Sequence, residues 1–96
     1  MSAFFLFGNY SPEALKDISA ERTDGAIEII QANGGEVTAM YALLGIHDLV
    51  LVLDLPGTEA AMKVSIELAK LTGISFTSSP AVAVQEFDHL VAKHTA

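Results

Sequence analysis

Ninety-six residues, 51% hydrophobic and only 18% charged, exclude a disordered chain and make one folded domain. A net charge of −7, with Lys16, Arg22, Lys63, Lys70 and Lys93 spread along the chain, excludes a cationic patch, so neither nucleic acid nor an anionic membrane is an expected partner. The lack of cysteine excludes a disulfide framework, a thiol nucleophile and a thiolate metal site.

Residues Ala3 to Phe7 read as a first strand that is apolar on both faces. This run is too short for a signal peptide, no Lys or Arg precedes it, and no stretch approaches a membrane span, so a soluble, cytoplasmic protein is expected. Ser11-Pro12-Glu13 is a helix start: a capping hydroxyl, a proline suited to the first helical position, and a carboxylate at the positive end of the dipole. The polar stretch Ser19 to Gly25 predicts a kink or restart, and Asn33-Gly34-Gly35 a stop.

Glu36 to Leu44 reads as a second strand, turned back through Gly45 to Asp48 into Leu49-Val50-Leu51-Val52-Leu53. A strand that faced water on one side would alternate apolar with polar. Five large apolar residues in a row therefore predict a central strand covered on both faces. After Pro56-Gly57, Thr58 is expected to cap a helix with Ala61, Val64, Leu68 and Leu71 on its inner side. Glu59, Lys63, Glu67 and Lys70 make a solvated stripe on that helix, while Met62, Ile66 and Ala69 widen its apolar side. Ile74 to Val84 reads as a fourth strand whose Pro80 demands an edge or a bulge, and Gln85 to Lys93 as a short closing helix with Phe87, Leu90 and Val91 on one side.

Strand, helix, strand, strand, helix, strand is the order of a ferredoxin-like βαββαβ antiparallel sheet, an α+β fold with helices on one face only. The other face would be bare, yet the first and third strands supply apolar side chains to both. The expected cover is the same sheet from a second copy, giving a homodimer with a barrel-like core, a dimeric α+β barrel; the alternative is a monomer whose closing helix folds over that face.

The element order, the Gly34-Gly35 pair before the second strand, and Gly45-Ile46-His47-Asp48 before an apolar strand resemble the GYD-domain family of the dimeric α+β barrel superfamily, from Phe4 to about Leu90. The family takes its name from a Gly-x-Tyr-Asp turn. Gly45 and Asp48 match it, and His47 stands where the family has Tyr. The resemblance implies fold and dimerisation and brings no established reaction. A similar Gly-x-x-Asp turn occurs in the amino-acid-binding modules of feast/famine regulators, whose DNA-binding helix-turn-helix has no counterpart segment here. Some barrels of the superfamily are cofactor-light monooxygenases or haem-degrading enzymes.

The candidate ligand-binding residues are His47, Asp48, Asn9 and Tyr41, at the rim of the expected inter-sheet cavity. Asp48 either accepts a hydrogen bond from a ligand or caps the N–H groups of its own turn. His47 is the best acid–base candidate, imidazole being the side-chain type suited to proton transfer near neutral pH, or an exposed turn residue; as strand neighbours, His47 and Asp48 point apart and form no simple dyad. Asn9 and Tyr10 after the first strand are placed to reach the same cavity as Tyr41, or else make the turn and pack a ring. Ser75, Thr77 and Ser79 alternate as a polar wall or as the solvent side of an edge strand. Glu86 and His89 sit three apart on the closing helix, with His94 beyond, short of the ligands a metal needs. No nucleophile elbow, phosphate loop or cofactor motif stands out. The residues thus support a homodimeric module binding a small apolar ligand; a cofactor-light enzyme of the monooxygenase or isomerase kind, with His47 as base and Asn9 or Tyr41 orienting substrate, is the alternative. A dimer enclosing only a dry core is the third reading.

Overall fold

The computed structural model describes the backbone of residues 1–95 and the side chains of residues 1–92. Its elements run β1 (Ser2–Asn9), α1 (Pro12–Lys16), α2 (Ala20–Ala32), β2 (Glu36–Ala42), β3 (Leu49–Leu55), α3 (Thr58–Thr72), β4 (Ser75–Ala81) and α4 (Val84–Thr95). The sheet order is β2-β3-β1-β4, antiparallel at every junction, so the two apolar strands lie in the middle as their sequence demands. This is the ferredoxin-like arrangement, with α2 and α3 packed together on one face.

Alternation along the strands separates two surfaces. Phe4 and Leu6 of β1 and Leu51, Leu53 and Leu55 of β3 turn toward the helices, where they are buried with Ile30 of α2 and Ala61, Val64 and Leu68 of α3. Burial of this kind contributes about 1.5–3 kcal/mol for each large side chain. The opposite face carries Phe5 and Phe7 beside Val52 and Val50, with Ser79 and Thr77 of β4 on one flank and Ala39 and Tyr41 of β2 on the other. Among the described residues no element packs across it.

The helix starts follow their caps. Ser11 Oγ accepts from Ala14 N–H at 3.0 Å with Pro12 in the first turn, and Ser19 Oγ accepts from Arg22 N–H at 3.0 Å. The restart therefore falls at Asp17–Ser19, and Gly25 stands inside α2. Arg22 returns across that break, its Nη1 donating to Ala14 O at 2.6 Å and its guanidinium lying 5.9 Å from the centre of the Tyr10 ring. The α3 start differs from expectation: Gly57 occupies the cap, no side chain caps the helix, and Thr58 is its first residue. Within α3, Leu71 is exposed and Thr72 is buried in its stead; Thr72 Oγ1 donates to Leu68 O at 2.7 Å and accepts from Ile74 N–H at 3.1 Å. Glu67, read as solvated, accepts from Asn33 Nδ2 at 2.7 Å and so ties the end of α2 to α3.

Pro80 sits in β4, an edge strand, and stays in register opposite Phe4; the register shifts instead in β2, between Val37 and Ala39. The closing helix departs most from the monomer alternative. Helix α4 makes only slight contact with the rest of the chain, Val84, Phe87, Leu90 and Val91 are exposed, and the molecule measures 53 × 30 × 18 Å. It does not fold over the open sheet face.

Candidate functional site

The residues that converge do so where β1 ends against the β2–β3 hairpin. Gly45 takes φ +138°, a region L side chains avoid, which lets the chain reverse between Ala42 and Leu49. Leu43 N–H donates to Asp48 O and Asp48 N–H donates to Gly8 O, both at 2.8 Å, so the loop closes on itself and continues the β1–β3 ladder. The carboxylate of Asp48 accepts from Tyr10 N–H at 2.8 Å. Asp48 thus caps a backbone donor, as the plainer reading expected, but the donor lies 38 residues away and not in its own turn.

Asn9 faces the open side of the sheet. Its Nδ2 donates to Ile46 O at 2.8 Å, which fixes the orientation of the amide and aims Oδ1 at His47 Nδ1, 3.1 Å away. A carbonyl oxygen can only accept, so Nδ1 must carry a proton. Neutral His47 then holds its free lone pair on Nε2. The imidazole also lies against Phe7, ring centroids 4.9 Å apart and planes tilted by 33°. His47 and Asp48 accordingly serve different partners.

The turn has a physical logic. Position 45 needs a residue tolerant of positive φ, position 48 a carboxylate for Tyr10 N–H, and position 47 a flat ring for Phe7; imidazole meets the last requirement in place of a phenol.

Tyr41 stands apart from this cluster but on the same face, since Tyr41 and Phe7 both pair with Val50. It is 61% exposed. Tyr10 turns the other way, toward Arg22 and Ile18, and lines a small cleft of about 70 Å³ under the helices, so it does not share a cavity with Tyr41. Phe7 was missed as a site residue; its place two residues before Asn9 on one strand face is the signal that would have found it. Ser75, Thr77 and Ser79 do line the open face, opposite Asn9, Phe7 and Phe5.

The chain's larger hollows lie elsewhere. One of about 370 Å³ opens between α3 and β4, lined by Phe4, Met62, Ile66, Phe76 and Pro80, and one of about 550 Å³ lies at the β4–α4 corner, lined by Val82, Gln85, Glu86, His89 and Leu90. Asn9, His47, Asp48 and Tyr41 line neither. Among the described residues no three His, Asp or Glu side chains gather as a metal site would require, and the side chain of His94 falls outside them. No helix among the described residues is long and apolar enough to cross a membrane.

With the turn and its partners in place, comparison with known proteins decides the family. The GYD-domain profile matches residues 4–91. The chain belongs to the GYD-domain family. That family lies in the dimeric α+β barrel superfamily of ferredoxin-like folds, in agreement with the sheet order found here. No curated protein matches this GYD-domain chain. Among solved structures, it is similar to the leucine response regulatory protein LrpA of Mycobacterium tuberculosis, with 12% identity and a TM-score of 0.57 over 85% of this chain and 51% of that one. The GYD-domain chain spans about half of that regulator, and the likeness is one of fold.

Proposed function

We propose that this GYD-domain protein works as a homodimer, its two open sheet faces packed together, and that the space between them takes a small, mostly apolar ligand. The observation that carries the reading is the open face itself: half-buried Phe5, Phe7 and Val52 around a buried Val50, with α4 elsewhere. Monomeric proteins seldom leave such a patch to water, and a copy of the same sheet is the simplest complement. The polar rim is Asn9, His47 and Tyr41, with Asp48 holding the turn that presents them. The regulator LrpA supplies a fold likeness in support and nothing about the ligand.

One observation favours a second reading, a cofactor-light enzyme. The Asn9–His47 hydrogen bond leaves Nε2 as a proton acceptor on the apolar face, the form a general base requires. His47→Ala separates the two: ligand retained with turnover lost marks the enzyme.

Native mass spectrometry of undenatured protein tests the main reading. A species at twice the 10.2 kDa chain mass, carrying additional bound mass, is expected. A bare dimer removes the ligand and leaves the dry-core dimer. A monomer at micromolar concentration overturns the reading.

A further inference from the structure

We propose that helix α4 is an arm that packs on a second copy of this chain, extending the interface beyond the sheet faces; the proposal rests on the homodimer reading above. Val84, Phe87, Leu90 and Val91 recur at the three- and four-residue spacing of one helix stripe, and all four are exposed. A helix of 12 residues is marginal alone in water, so most of its stability must come from packing this stripe on something. Its own body does not supply that surface, because α4 makes only slight contact with it.

Three observations name a second copy as the occupant. The first is continuity. Ala81 closes β4 opposite Ala3, on the open-face side of the sheet, and α4 begins three residues later, so the stripe starts at the border of the face that the dimer buries. The second is area. Four strands about 4.8 Å apart and some seven residues long give a flat footprint of about 400 Å². A standard interface buries about 800 Å² of accessible surface on each partner, against which that flat footprint is small. Helix α4 adds a strip about 18 Å long on the same side of the balance. The third is charge. Two chains of net charge −7 repel, and they meet with least repulsion through surfaces free of carboxylates. The stripe itself carries no charge, with Glu86 and Asp88 at its two edges, one turn from Leu90 and Val84. The β2–β3 hairpin is a matching surface on the body, with Leu44 105% and Ile46 88% exposed and no charge between Tyr41 and Ile46.

The test places the photo-cross-linker p-benzoylphenylalanine at position 90 of the full chain and compares Leu90→Glu with the parent in a dilution series. Because position 90 is exposed, both substitutions leave the circular dichroism of the body unchanged. Irradiation is expected to give a covalent dimer, with cross-linked peptides joining ¹⁴N- and ¹⁵N-labelled chains in a mixed sample. Leu90→Glu is expected to raise the dimer dissociation constant tenfold or more. A parent that is dimeric, but whose position 90 cross-links only within its own chain or not at all, and whose Leu90→Glu variant dissociates no more readily, overturns the arm and leaves the sheet dimer standing. A monomeric parent overturns both.

Discussion

Asp48 reaches across 38 residues to accept the backbone N–H of Tyr10 at 2.8 Å. This bond joins the hairpin loop to the turn that leads into α1, so the end of β1 and the hairpin turn hold one geometry. Asp48→Ala leaves a part-buried N–H without its partner, which costs about 1–2 kcal/mol. Asp48→Asn keeps an acceptor oxygen and should lose less than half as much. Urea unfolding measures both, and an Asp48→Ala variant as stable as the parent would remove the latch from the account.

The Asn9 amide dictates the tautomer of His47. Its Nδ2 is committed to Ile46 O, so Oδ1 faces Nδ1 and requires a proton there. Nitrogen-15 NMR of neutral His47 is expected to show Nδ1 protonated and Nε2 bare. Asn9→Ala should release the ring to the Nε2-protonated form that free imidazole prefers. An unchanged tautomer in the variant would show that Asn9 does not set it.

Val52 and Leu53 are neighbours with opposite duties. Leu53 is fully buried against the helices, whereas Val52 is half-buried beside Phe5 on the open face. Leu53→Ala should cost about 2–5 kcal/mol of folding stability. Val52→Lys should keep the fold and, on the proposed dimer, abolish self-association, because it sets a charge in the middle of the face such a dimer must dry. Light scattering coupled to size-exclusion chromatography, beside an unfolding curve, reads both effects. A Val52→Lys variant that remains dimeric would place the interface elsewhere.

The architecture was legible because its signals are local. Apolar residues on both faces of 49–53 placed that strand in the middle, Ser11-Pro12 started a helix, and Asn33-Gly34-Gly35 ended one. The polar stretch Ser19 to Gly25 predicts the break between α1 and α2, its glycine weakening a helix by about 1 kcal/mol. The structure puts it at the start of that stretch, where the Ser19 cap supplies a new start, and Gly25 stays inside α2. Of the residues singled out, Asn9, His47 and Asp48 do meet at one turn. Their pairing was not legible, since the bonds span 37 or 38 residues and depend on a register that no local pattern reveals. Tyr10 was placed with Tyr41, although strand alternation puts it on the side opposite Asn9.

The α2–β2 junction offers a last test with a built-in contrast. Gly35 is buried where the chain leaves α2 and enters the edge of the sheet. A Cβ there would land on the Leu55 side chain and stand 3.0 Å from Asp54 O and 3.1 Å from Ile30 O. Leu55 lies fully buried, and the two carbonyls belong to backbone, so nothing nearby yields easily. Gly35→Ala should therefore cost about 1–3 kcal/mol through overpacking. Gly57 is the opposite case, with extended backbone and nothing within 4 Å of a Cβ. It caps α3 without a side-chain bond, so Gly57→Ser should supply the missing acceptor and gain a few tenths of a kcal/mol. Chemical unfolding of the two variants beside the parent checks the pair. Equal effects would mean that the close approach at Gly35 relaxes freely and that its missing side chain is not what the junction requires.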